Sequence, residues 1–108
     1  MFSKKIRKVY HPNRKNTRQI LRGELKKLSS LGFDELNKLA RNSAEDKYEI
    51  TSGSSVFQIT INYSLEGKNL VNVLGAIDGP GVLRILGFVI SITDFFAISR
   101  SGDVEFKR

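Results

Sequence analysis

Apolar positions change their period near the middle of the chain. Before residue 46 they recur at helical intervals, and after it they alternate. Ile20, Leu21, Leu25, Leu28 and Leu31 follow the 3.6-residue spacing and fall within an arc of about 140° on a helical wheel. Asn16 is a good N-cap with Gln19 three residues on, and Gly32 is a natural stop, so this pattern predicts a helix between Asn16 and Gly32. Asp34 reads as the cap of a second, shorter helix reaching about Ser43, with Leu36, Leu39 and Ala40 facing inward. The tight Gly32-Phe33 link sets the two helices at a corner. Ahead of them, residues 1–12 read as a basic, flexible arm. Ile6, Lys8 and Tyr10 could alternate as a short edge strand that His11-Pro12 ends.

Tyr48 and Ile50 begin the alternating half, and Ser52-Gly53-Ser54-Ser55 turns the chain. From Val56 to Leu65 the period is 2. Phe57, Ile59, Ile61, Tyr63 and Leu65 share one face, and Gln58, Thr60, Asn62 and Ser64 the other. This is the signature of an antiparallel strand with one wet side. Further strands are expected over Leu70–Ile77, over Val82–Ile92 with a bulge or bend at Gly87, and over Phe95–Ser99 and Asp103–Lys107. Turns at Glu66–Asn69, Asp78–Gly81 and Arg100–Gly102 separate them. Helices followed by strands indicate a single α+β domain spanning residues 1–108. The expected architecture is two N-terminal helices packed on one face of a curved antiparallel β-meander of about 5–6 strands. Gly75 and Gly87 would allow a cystatin-like or half-barrel curvature.

Charge adds what the apolar pattern does not show. Residues 1–27 hold ten Lys/Arg against Glu24 alone, a net +9, and residues 28–108 hold eight against ten acids, a net −2. Lys15, Arg18, Arg22 and Lys26 occupy an arc of about 80° on the first helix, distinct from its apolar side. Such asymmetry points to a polyanionic partner. A solvated basic face that aids solubility is the plainer reading. Absence of Cys excludes disulfides and thiolate chemistry and fits a reducing, cytoplasmic location. The apolar run at residues 82–98 contains Arg84 and Asp94 and is shorter than the roughly 20 residues a spanning helix needs, so no membrane span is expected.

Candidate chemistry is sparse. One His and no Cys make a metal site or cofactor unexpected. No GxSxG or phosphate-loop spacing occurs. Asp78 and Asp94 are the two carboxylates that could do acid–base work, in a cup with Tyr63 and Arg84. The plainer reading has Asp78 holding an Asp-Gly turn and Asp94 ending a strand, paired with Arg84 or Arg100.

The residues Gly75-Ala76-Ile77-Asp78-Gly79-Pro80-Gly81, Thr93-Asp94-Phe95-Phe96 and Ser101-Gly102-Asp103-Val104-Glu105-Phe106 resemble the C-terminal parts of small bacterial α+β proteins. The resemblance implies a fold and no activity. The functional expectation is therefore a non-enzymatic module binding DNA or RNA through Lys4, Lys5, Arg7, Lys8, Lys15, Arg18, Arg22 and Lys26. Two alternatives stand beside it. One is a protein–protein module, of immunity or accessory type, that forms a homodimer or meets an acidic partner. The other is the small-molecule or catalytic cup around Asp78 and Asp94.

Overall fold

The structure is a computed structural model. It describes the backbone of residues 2–79, 83–85, 88–90 and 92–106, and the side chains of residues 16–79 and 92–106. Helix α1 spans Phe2–Ser29, 28 residues or about 42 Å. It begins well before Asn16, so the expected arm and edge strand are replaced by helix. The Asn16 cap and the His11-Pro12 break were local signals that a longer helix absorbs. Pro12 removes one intrahelical hydrogen bond, while the Lys and Arg around it are good helix formers. Lys26 and Lys27 in the last turn complement the helix dipole.

α1 gives way at the Ser30-Leu31 turn to α2, Phe33–Arg41. Leu31 falls in that turn and is 48% exposed, not part of the apolar face. Gly32, with φ at 87°, occupies the N-cap position that was expected of Asp34. Asp34 and Glu35 lie instead in the first turn, where their charge favours the positive end of the dipole. Ser43, at φ 50°, donates its N–H to the Ala40 carbonyl just past the helix end.

Strands β1 (Glu45–Ser52), β2 (Ser55–Glu66) and β3 (Leu70–Asp78) follow as an antiparallel meander. Gly53 and Gly67 take the positive φ that its tight turns require. The stretch expected as one long fourth strand is a small separate hairpin, β4 (Leu83–Ile85) with β5 (Phe88–Ile90). The bulge assigned to Gly87 lies outside the described residues. The main sheet resumes with β6 (Ile92–Ser99), which pairs with β3, and closes with β7 (Val104–Phe106). The order β1-β2-β3-β6-β7 is an open five-stranded antiparallel sheet, so the α+β class stands.

Both helices lie on one face of this sheet. Leu21 and Leu25 of α1, with Phe33, Leu36 and Ala40 of α2, pack on Phe57, Ile59, Ile61, Val71, Val73, Ile77, Ile92, Phe96 and Ile98, all nearly free of solvent contact. Gly75 sits under α1, where a methyl group would come within 2.9 Å of Leu21 Cδ1 and 3.1 Å of Leu25 Cδ2. Its role is therefore close approach of helix to sheet. Neither leucine can step aside, because both are fully buried.

Gly75→Ala should accordingly cost about 1–3 kcal/mol through overpacking, although alanine suits a strand better than glycine. Urea unfolding measures this, and a neutral or stabilising outcome would show that α1 rides higher on the sheet.

Candidate functional site

Among the described residues of α1, only one side reaches the core. The side carrying Arg18, Arg22 and Lys26, spaced four residues apart, forms one wall of a cleft of about 560 Å³. The opposite wall is the start of β6, Ile92, Thr93 and Asp94, and Gln19, Leu21 and Gly23 complete the lining. β6 therefore places a single carboxylate, Asp94, opposite three cations.

That carboxylate is engaged. Arg22 meets it with two parallel hydrogen bonds, Nε to Oδ2 at 2.5 Å and Nη2 to Oδ1 at 3.0 Å, the fork geometry in which guanidinium and carboxylate match best. The Phe95 backbone N–H also donates to Oδ1 at 2.9 Å. Beneath the guanidinium lies the Phe106 ring, 4.5 Å from centroid to Cζ, itself tilted against Phe96 at 5.3 Å. Asp94 hydrogen bonding holds the Arg22 guanidinium above its ordinary pKa. The arginine is thus fixed by an acid on one side and an aromatic face below. Arg18 and Lys26, by contrast, are exposed.

Gly23 also stands out in this wall. A Cβ there would meet nothing within 4 Å, so packing does not call for glycine. Glycine inside a helix costs about 0.5–1 kcal/mol relative to alanine.

A second polar group holds the opposite flank of α1. Tyr48 Oη on β1 donates to Glu24 at 3.0 Å, and Lys27 donates to the same carboxylate at 3.0 Å. Tyr63 Oη donates to Asp46 at 2.7 Å. Burial, followed by the hydrogen bond to the adjacent carboxylate, pushes both phenols well above their usual pKa. The lone acid of the basic segment is therefore structural.

The residues singled out in sequence are distributed as follows. Arg18, Arg22 and Lys26 come together in the cleft. Lys4, Lys5, Arg7, Lys8 and Lys15 belong to the same helix, but their side chains lie outside the described residues, as does that of Arg84 in β4. Tyr63, Asp78 and Asp94 are not brought into one cup. Asp94 stands opposite Gly75 on the helix-covered face. Asp78 stands opposite Gln58 on the other face, because side chains three positions apart on one strand point to opposite sides. Tyr63 is buried with its hydroxyl bound to Asp46. Asp94 lies within β6 and does not end it, and among the described residues its partner is Arg22 and not Arg100. Arg100 donates instead to Asn69 Oδ1 and the Lys68 carbonyl, both at 3.0 Å, and lies over the Phe33 ring. Sequence reasoning missed Gln19, Thr93 and Phe106. Gly23, an unforced glycine inside a helical pattern, was the available signal.

In a double-mutant cycle, Arg22→Ala and Asp94→Ala should couple by about 1 kcal/mol, limited by the exposure of the guanidinium. Additive losses in chemical denaturation would mean that the pair does not hold α1. Alkaline stability tests the second group. Unfolded tyrosine loses its proton near pH 10, whereas folded Tyr48 and Tyr63 keep theirs to higher pH. The unfolded state then binds fewer protons, so stability should be intact below about pH 10 and fall as pH rises beyond it. Tyr48→Phe with Tyr63→Phe should flatten that alkaline limb in melts across pH 8–11.

Comparison of the chain with protein-family models, with curated proteins and with solved structures finds no match.

Proposed function

We propose that this chain is a non-enzymatic, cytoplasmic binding module that engages nucleic acid through the phosphate backbone with the basic side of α1. The observation that carries the reading is the composition of the cleft. Arg18, Arg22 and Lys26 share one wall, and the single opposing acid is already bound to Arg22. The wall is left with an excess of positive charge, in a concave place where field lines concentrate. Gly23 supports the same reading, since an unforced glycine beside three cations lets a phosphate approach the helix backbone closely. Lys4, Lys5, Arg7, Lys8 and Lys15 lie on the same helix and would extend the contact along a strand. Among the described residues the cleft offers no exposed aromatic side chain for stacking a base, because Phe106 lies beneath Arg22. The expected mode is therefore sequence-tolerant backbone binding to a duplex.

A cup around Asp78 and Asp94 has no comparable support, since the two acids lie on opposite faces of the sheet. Among the described residues no helix is long and apolar enough to cross a membrane. Among the same residues no three His, Asp or Glu side chains converge as metal ligands.

Fluorescence anisotropy with labelled duplex DNA and RNA tests the proposal. Arg18→Glu with Lys26→Glu should weaken binding more than tenfold and make the dependence of log K on log salt shallower by about two. Arg22 is left in place because it holds the helix. Gly23→Ala should raise stability by about 0.5–1 kcal/mol and still lower affinity. Salt-insensitive binding, or affinity unchanged by the double reversal, would refute the reading.

A further inference from the structure

The helices cover one face of the sheet. On the other face the register aligns Glu45, Glu49, Glu66 and Glu105, with Lys47 the one cation among the described strand residues there. Lys47 is itself ion-paired with Glu45 at 3.6 Å. Toward the β6–β7 end this face is hollowed into a groove of about 500 Å³. Leu70, Phe95 and Ala97 lie along it, and Glu66, Asp103 and Glu105 stand around it. None of the described residues lining it is basic. Leu74, opposite Phe95 in the register, is 45% exposed and extends the apolar floor.

An apolar floor inside an acidic rim is the complement of a basic amphipathic helix. This chain contains one. Its sequence spaces Phe2, Ile6 and Val9 at helical intervals, sets Lys4, Lys5, Arg7 and Lys8 among them, and has no acid before Glu24. The described packing of α1 on its own body runs from Thr17 to Leu28. The helix is anchored on the far face of the sheet, so its first turns cannot enter the groove of the same molecule. We propose that the groove formed by Glu66, Leu70, Phe95, Ala97, Asp103 and Glu105 docks the first turns of α1 from a second copy of this chain. The contact is heterologous, joining a basic helix on one copy to an acidic sheet face on the next.

Sedimentation velocity over a concentration series, in low salt and in 1 M salt, tests this with charge-reversed chains. The wild-type protein should self-associate in low salt and become monomeric in 1 M salt, where the screening length falls to about 3 Å. Glu66→Lys with Asp103→Lys and Glu105→Lys should be monomeric alone, its association weakened at least tenfold. Lys4→Glu with Lys5→Glu and Lys8→Glu should also be monomeric alone. Mixing the two variants should restore a complex, because the reversed groove now meets a reversed helix. All six substitutions are charge reversals at solvent-facing or N-terminal positions, and circular dichroism melts check that each variant is folded. A wild-type monomer at high micromolar concentration in low salt overturns the proposal. So does association that survives reversal of the three acids, or two folded variants that ignore each other when mixed.

Discussion

Everything in this molecule depends on how closely α1 can approach the sheet. The helix lies above a row of cross-strand neighbours, Asp46, Ile61, Gly75 and Asp94, that runs from β1 to β6. Three of these positions carry side chains, and the third in the row is a hydrogen atom. The gap at Gly75 admits Leu21 and Leu25, and they in turn bring Arg22 within reach of Asp94 and Glu24 within reach of Tyr48. A helix held even one methyl group higher would stretch both polar contacts. Apolar burial supplies the attraction, while the two flanking groups fix rotation of the helix about its axis.

That rotation decides which cations face outward. Arg18, Arg22 and Lys26 lie on one strip because they are four residues apart, but only Arg22 is drawn down to the sheet. The middle cation of the strip is thus a fastener, and those on either side remain in solvent. A half-exposed ion pair contributes little to stability by itself. Its value here is orientation, since the fork of the guanidinium and the face of Phe106 leave it few alternative poses. The acids follow the opposite logic. Apart from Asp46 and Asp94, the strand acids with described register occupy the face away from α1, opposite in sense to the cations of the helix.

Much of this was readable in the order of residues. The alternation of Phe57, Ile59, Ile61 and Tyr63 matches β2 residue by residue, because a strand with one wet face has no other arrangement of its apolar positions. The inward set of α2 was legible for the same reason at a period of 3.6. Elsewhere the local signals were real but outweighed. Asn16 is a good start signal and Pro12 a good break for an isolated segment, and α1 continues through both. Gly75 was recognised as special for curvature, whereas its use is tertiary and visible only once Leu21 is overhead. The acid pair failed for a geometric reason. Between Asp78 and Asp94 the chain inserts the β4–β5 hairpin, and the parity of β6 cannot be counted across it. The pairing of Arg22 with Asp94, separated by 72 positions, leaves no trace in a single sequence.

The same separation orders events in time. A chain is made from its N-terminus, so α1 emerges before the strands that receive it. The surfaces that receive it are β3 and β6, and the latter includes the last carboxylate of its anchoring row. Until residue 94 has left the ribosome, the leucines of α1 have no completed seat. The meander can meanwhile assemble strand by strand from neighbouring hairpins, whose closure is inexpensive. α1 is therefore made before its seat exists, and until β6 is in place its cations and its apolar leucines are both uncovered.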